Sequence, residues 1–312
     1  MAWKILITDG LEQTGKDILN EKGEAVDRKG VEAAELLQIV SEYDALIVRG
    51  RTKVTKEVIA AGKNLKVIGR AGVGVDNIDL EAAQASHVTV VNCPVATSEA
   101  VAELAMGMLF CLAREIPRAD ALMKANKWAK KDFEGIELMD KTLGVIGYGN
   151  IGRRLGKYAG AMGMKVLAND EYRDAAYIQE NGAQACTLDE IYAQSDFISI
   201  HVPLTAESRH MISDDAFAKM KTGVRIVDAA RGGIIEEAAL LRALGSGKVA
   251  GVALDVYENE PPTDWTLIEN SHVVAMPHVG AQTQEAQLRA AIDIASEVIN
   301  CLDGKPLRWK IV

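Results

Sequence analysis

Cysteine is scarce and scattered here: Cys93, Cys111, Cys186 and Cys301 are the only four in 312 residues. They have neither the density of a disulfide scaffold nor the close pairing of metal ligands. Reduced thiols, no bound metal and a cytoplasmic location are therefore expected. Long hydrophobic runs are also missing. The most apolar segment, Leu104–Ala113, is too short to cross a bilayer and is flanked by Glu103 and Arg114. The opening Met1-Ala-Trp-Lys-Ile-Leu-Ile-Thr-Asp runs straight into a strand pattern without a signal-peptide layout. No membrane partner is expected. Positive charge is in deficit, with 35 Lys and Arg against 44 Asp and Glu and a net charge of −9. A polyanion needs a basic stripe, so nucleic acid is excluded as the main partner, although a local basic pocket is not. Low-complexity linkers and short-period repeats are absent too.

What the chain does contain is short apolar strands alternating with helical patterns, the signature of parallel sheets built from βαβ units. Strands are expected at Lys4–Thr8, Ala45–Arg49, Lys66–Gly69 and Thr89–Asn92. Helices are expected at Thr14–Lys22, Ala33–Ser41, Lys56–Ala61 and Leu80–Ala85. These make a small doubly wound domain with no glycine fingerprint after its first strand, so it is the weaker candidate for a cofactor. Ser98 to about Lys124 reads as one long helix capped by Ser98, with Glu99 in its first turn. Its apolar positions Val101, Leu104, Ala105, Met108, Leu109 and Leu112 are too many for one face, so it must bury itself on more than one partner.

The most specific segment follows: Gly144-Val-Ile-Gly147-Tyr-Gly149-Asn-Ile-Gly152, then Lys165-Val-Leu-Ala-Asn-Asp170. It reads as strand, glycine turn, helix, strand and acid. Gly147 permits the tight turn, Gly149 lets backbone approach a pyrophosphate, and Gly152 lets helix pack on strand. The helix N-terminus offers unpaired N–H groups to phosphates. Asp170, 18 residues past Gly152, can accept from a ribose diol and repels a 2′-phosphate. The expected cofactor is NAD. Further strands at Phe197–Val202, Arg225–Ala229, Gly251–Val256 and His272–Ala275 extend this sheet. The Ala-rich helix Gln284–Leu302 then crosses back to the first domain. The fold class is thus α/β with two doubly wound parallel sheets, a Rossmann domain (96–282) inserted into a flavodoxin-like substrate domain (1–95 and 283–312).

In open α/β sheets ligands lie past the carboxyl ends of the strands. Hydride exchange with a 2-oxo acid needs a cation for the carboxylate, which favours Arg, and a proton donor working near neutral pH, which favours His. It also needs a carboxylate to orient that His. Arg231, His278 and Glu260 supply this set from three strand ends. With them stand Gly69-Arg-Ala-Gly-Val-Gly-Val-Asp76-Asn-Ile-Asp79, Asp228-Ala-Ala-Arg231-Gly-Gly, Ala253-Leu-Asp255-Val-Tyr-Glu-Asn-Glu260-Pro-Pro and Pro277-His278-Val-Gly-Ala.

Together these pieces resemble the D-isomer-specific 2-hydroxyacid dehydrogenases along essentially the whole chain, and among them the phosphoglycerate-oxidising branch. The resemblance implies Arg231, Glu260 and His278 as catalytic residues. It places Asn150 and Ile151 at the pyrophosphate and Asp170 on the adenosine ribose. Val73, His201, Val202, Pro203, Ala229, Asp255, Gly280 and Ala281 would line the rest of the NAD site. Amides around Gly72, Val73 and Gly74 would grip the substrate carboxylate, in a cleft between the two domains that closes during turnover. Arg49 and Arg51 of the Arg49-Gly-Arg51-Thr-Lys53 turn suit a phosphate dianion, with Arg70 as a further anchor. The implied reaction is NAD-linked oxidation of 3-phospho-D-glycerate to 3-phosphohydroxypyruvate, as in serine biosynthesis. The long Ser98 helix would build a homodimer or homotetramer. Departures at Val95-Ala-Thr97, Asp228 and Gln282 keep reduction of glyoxylate, hydroxypyruvate or another 2-oxo acid open. A dinucleotide-sensing corepressor-like role is a further alternative. Longer phosphoglycerate-oxidising members carry C-terminal regulatory domains, so with the chain stopping at Val312, serine feedback through such a domain is not expected.

Overall fold

The computed structural model describes residues 2–312. The chain divides into two compact units, one of residues up to Ser98 together with Ala281–Val312, the other Glu99–Gly280.

The first unit is built on five strands: β1 (Trp3–Ile7), β2 (Gly23–Asp27), β3 (Ala45–Val48), β4 (Val67–Arg70) and β5 (Thr89–Val91). They pair in parallel in the order β2-β1-β3-β4-β5, the flavodoxin-like winding. Between them run α1 (Gln13–Asn20), α2 (Ala33–Ile39), α3 (Lys56–Ala61) and α4 (Leu80–Ala85). Successive strand residues point to opposite faces, so there are two cores. Leu6, Leu46, Val48, Ile68 and Val90 pack under α2, α3 and α4. Ile5, Ile7, Ala45, Ile47 and Val67 pack under α1 and the late helix Gln284–Leu302. That helix lies so close to β4 that a Cβ on Gly69 would stand 2.7 Å from Val298. Strand β2 was not anticipated: its Gly-Glu-Ala-Val-Asp sequence lies on a sheet edge with no fully buried residue, so it carries little apolar periodicity.

The second unit opens with the helix expected at Ser98–Lys124, which is two helices, α5 (Ser98–Arg114) and α6 (Ile116–Lys124). Glu115 between them takes a left-handed backbone, φ 49°. Pro117, next inside α6, cannot donate to the carbonyl four residues back, and that carbonyl, Ala113 O, accepts from Ile136 N at 2.9 Å instead. Ser98 is also not a cap but the first helical residue, its hydroxyl donating to Pro94 O at 3.2 Å.

A seven-stranded sheet follows: β6 (Thr142–Ile146), β7 (Lys165–Asn169), β8 (Gln184–Ala185), β9 (Phe197–Ile200), β10 (Val224–Asp228), β11 (Val249–Leu254) and β12 (Val273–Ala275). All are parallel, ordered β12-β11-β10-β9-β6-β7-β8, with the winding reversing between β6 and β9. Its helices are α7 (Gly152–Ala161), α8 (Ala175–Glu180), α9 (Leu188–Gln194), α10 (Asp214–Lys219) and α11 (Glu237–Gly245). One face, with Leu143, Val145, Phe197, Val227 and Ala253, packs on α5 and α7. The other, with Ile146, Ile198, Ile226 and Val252, packs on α9, α10 and α11. The last helix, α12 (Gln284–Leu302), returns to the first unit, where buried Glu297 accepts the amides of Arg308 and Trp309 at 2.9 and 3.2 Å. No helix among the described residues is long and apolar enough to cross a membrane.

Candidate active site

In the second unit, the carboxyl end of β6 gives way to the glycine turn. Gly147 holds φ 90°, and a Cβ there would stand 2.6 Å from His201 O. A Cβ on Gly152 would meet Gly147 O at 2.1 Å, so strand and helix approach closely only with both glycines. Gly149, by contrast, has open space where a side chain would stand. Asn150 and Ile151 complete the turn, Ile151 as the N-cap position of α7. The residues fit a dinucleotide. The gap at Gly149 leaves room for a pyrophosphate beside the α7 amides, and Arg153 Nε in the first turn is buried without a protein partner. Asp170 stands one residue past β7 and accepts from Tyr148 N at 2.6 Å and Tyr172 N at 2.8 Å. It therefore joins the glycine turn to the β7 strand end.

Past β9 come His201, Val202 and Pro203. Burial pushes the His201 imidazole down to about 4, so it is neutral at physiological pH. Its Nε2 meets Ser199 Oγ at 2.9 Å, and its Nδ1 is buried without a partner. At the end of β10, Asp228 is buried and accepts from Ala230 N at 2.9 Å. Burial drives its carboxyl up to about 7 against the pull of that amide and of Arg231. Ala229 and Arg231 follow on the same turn. A Cβ on Gly232 would lie 1.7 Å from Tyr257 O, so only glycine lets the turn carrying Arg231 lie against the loop carrying Glu260.

That loop begins past β11, where Tyr257 N donates to Glu260 Oε1 at 3.2 Å. The other oxygen, Oε2, lies 2.6 Å from His278 Nδ1. Burial opposes ionisation of Glu260. The His278 hydrogen bond and charge, the Tyr257 amide and Arg231 outweigh it, and its carboxyl stays below the usual range. His278 itself sits at φ 53°, a conformation that is uncommon away from glycine. Asp255 secures the next residues, accepting from Val279 N at 2.7 Å and Gly280 N at 2.8 Å. Both Asp255 oxygens are thus taken up by backbone. Sequence reading placed Asp255 along the cofactor and overlooked Tyr257. The Asp-Val-Tyr run, with Tyr257 three residues before Glu260, was the available signal.

The first unit carries its own strand-end groups. Asp9 organises the turn past β3, accepting from Arg49 N at 2.8 Å, Thr52 N at 3.1 Å and Thr52 Oγ1 at 2.6 Å. It also pairs with Arg51 Nε at 3.3 Å, and Arg51 Nη2 reaches Val31 O at 3.0 Å and Thr8 O at 3.3 Å. Arg51 is therefore a clasp for its own turn. Burial depresses the Arg49 guanidinium against the pull of Glu12 and Asp9; among the described residues it makes no ion pair. Past β4, the Gly72 amide is already taken by Cys93 Sγ at 2.9 Å and Arg70 O at 2.8 Å. Asn92 Nδ2 donates to Val73 O at 2.6 Å, and the amides of Val73 and Gly74 make no backbone hydrogen bond among the described residues. The Arg70 guanidinium folds over Gly72 and reaches Ala71 O at 3.4 Å. Ala281, past the last strand, accepts from Gln287 Nε2 at 2.6 Å. Among the described residues no group of three or more His, Cys, Asp or Glu could hold a metal ion.

The family model for the NAD binding domain of D-isomer specific 2-hydroxyacid dehydrogenases matches residues 106–280. The D-3-phosphoglycerate dehydrogenase of Synechocystis sp. is 44% identical over 305 residues, covering 98% of this chain and 55% of that protein. The chain thus spans about half the length of such curated relatives. A glyoxylate reductase structure from Paecilomyes thermophila superimposes with a TM-score of 0.90 at 31% identity, covering 100% of this chain and 99% of that one. A D-lactate dehydrogenase from Aquifex aeolicus, solved with NAD and lactic acid, has a TM-score of 0.85 at 29% identity and 96% coverage of both chains.

Proposed function

The chain belongs to the D-isomer-specific 2-hydroxyacid dehydrogenase family, and from that membership we propose that it is an NAD-dependent dehydrogenase oxidising 3-phospho-D-glycerate reversibly to 3-phosphohydroxypyruvate, the reaction that feeds serine biosynthesis. The carrying observation is the 2.6 Å pairing of His278 Nδ1 with Glu260 Oε2, beside the turn of Arg231. With Nδ1 committed to the carboxylate, Nε2 is the nitrogen left to take the substrate hydroxyl proton. Arg231 holds the substrate carboxylate and polarises the C2 oxygen. Glu260, kept ionised, stabilises the imidazolium once the proton has moved. NAD, when bound, supplies the hydride acceptor for C2–H. Gly147, Gly149, Asn150, Ile151 and Gly152 would hold its pyrophosphate and Asp170 its adenosine ribose. His201, Val202, Pro203, Ala229, Asp255, Gly280, Ala281 and Val73 would border the rest.

In the first unit, Val73 and Gly74 offer amides suited to a carboxylate, with Gly72 and Arg70 fixing the shape of that loop. Arg49, which makes no ion pair among the described residues, is the group suited to a phosphate, and Arg51 supports its turn. Curated relatives named D-3-phosphoglycerate dehydrogenase support this substrate. A spectrophotometric NADH assay over phosphorylated and unphosphorylated 2-hydroxy and 2-oxo acids tests it. 3-Phospho-D-glycerate should have the highest kcat/KM, and Arg49→Ala should cost more than Arg51→Ala with that substrate alone. A preference for glyoxylate or hydroxypyruvate would establish the second reading, which the likeness to a glyoxylate reductase favours.

Assembly as a homodimer or homotetramer belongs to the same proposal. Ile116, Met123 and Trp128, in and just after α6, are exposed apolar side chains, Trp128 at 80%, and a patch of this kind suits a self-complementary contact. The four free thiols fit a cytoplasmic setting.

A further inference from the structure

At the amino ends of β6, β9 and β10, on the sheet edge opposite the catalytic strand ends, lies a cavity of about 200 Å3. It is lined by Ile136, Lys141, Asp196, Lys221, the Thr222–Gly223 turn and Arg225. Its electrostatics are lopsided. Asp196 is the one carboxylate, and it is fully engaged, accepting from Lys221 Nζ and from Thr142 N, each at 2.8 Å. Lys141 makes no ion pair among the described residues. Arg225 is more unusual. Its Nε donates to Leu112 O at 3.3 Å and its Nη1 to Gly223 O at 3.4 Å. No carboxylate of the described residues lies within ion-pair distance of it. Burial depresses its guanidinium despite the pull of Glu115 and Asp196. A cation drawn out of water, held by two carbonyls and the face of Phe197 at 5.8 Å from the ring centroid and making no ion pair among the described residues, is costly unless an anion joins it.

Three cations against one carboxylate leave an excess of two positive charges on the lining. A water occupies about 30 Å3 of liquid, so the space exceeds what a halide needs and suits a phosphate ester or a short dicarboxylate. We propose that this cavity, lined by Lys141, Lys221 and Arg225, binds a small dianion, separately from the catalytic site. Arg225 and Lys141 would be the direct contacts, Lys221 would divide its charge between the anion and Asp196, and the Thr222 hydroxyl would add a neutral donor.

The test uses the full-length protein saturated with NADH, titrated calorimetrically with inorganic phosphate, succinate, and chloride at matched ionic strength. Phosphate, succinate or both should bind saturably, and which one does identifies the anion as phosphate-like or dicarboxylate. Lys141→Gln and Lys221→Gln should each weaken that binding about tenfold, the size of one charge-assisted hydrogen bond. Lys141→Arg should retain it. An unchanged NADH affinity shows that the variants are folded and that their catalytic side is intact. Saturable phosphate or succinate binding no stronger than that of chloride would overturn the proposal, as would an affinity that the double variant K141Q/K221Q leaves unaltered.

Discussion

The two ring nitrogens of His278 do different work. Nδ1 is held by Glu260 at 2.6 Å, so proton transfer falls to Nε2. His278→Gln keeps size and a polar tip but has no basic nitrogen, and kcat should fall about a hundredfold or more with KM little changed. Full activity in that variant would remove the proposed mechanism. Glu260→Gln keeps the hydrogen bond and loses the charge. Its kcat should drop less, with the loss varying with pH, since the imidazolium is no longer stabilised. Asp228 offers a stability prediction with a definite sign. Burial raises its carboxyl from 3.8 to about 7, so the folded chain holds a proton there that the unfolded chain has released. Between these pH values the unfolded state binds fewer protons at this site, and stability falls as pH rises. Asp228→Asn removes that loss. Thermal melts should show the variant gaining on the parent from pH 5 to pH 8, and an advantage independent of pH would contradict the assignment. Such residue-level states were not legible beforehand. An aspartate where asparagine is common was visible in the sequence, but its burial between two strand ends was not.

Among the elements, the break between α5 and α6 shows what periodicity cannot reveal. Apolar positions run on through the break, and only the left-handed Glu115 and the diversion of Ala113 O to Ile136 N end the first helix. Pro117 was the local warning, since a proline breaks the hydrogen-bond ladder of a helix interior. Glu115→Gly relieves the left-handed strain and should stabilise the protein by about 0.5–1 kcal/mol in urea unfolding, because the exposed Glu115–Arg118 ion pair that it removes contributes little. Gly232→Ala should act in the opposite way. A methyl 1.7 Å from Tyr257 O forces the Arg231 turn away from the Glu260 loop. We expect kcat/KM to fall by at least about tenfold with NADH affinity nearly intact, because even small misplacements of catalytic groups are costly. Edge strand β2 escaped notice because half-buried Gly23, Ala25 and Val26 beside exposed Glu24 and Asp27 leave no clear period-two pattern. The central strands, apolar on both faces, could hardly be missed.

On the scale of the molecule, two separately cored sheets make a prediction about where the cofactor acts. At NADH one hundred times its Kd, binding stabilises the folded state by about 2.7 kcal/mol. Hydrogen exchange at short times should show the added protection in β6, the glycine turn and the start of α7, with β1, β2 and β3 unaffected. Protection centred on β1 would relocate the cofactor to the first unit. The sequence by itself determined the class of fold, because strand and helix periods and the glycine turn are local properties written within a few residues. It also determined the chemical types available at the strand ends: Arg231, Glu260, His278, and Asp170 after the fingerprint. Only the tertiary structure decided which of those groups are committed and to whom. Arg51 is bound to Asp9, 42 positions away, Asp255 to the amides of Val279 and Gly280, and the Gly72 amide to Cys93. Such pairings depend on strands far apart in the chain lying side by side, and no local pattern encodes which distant partner a polar group will find.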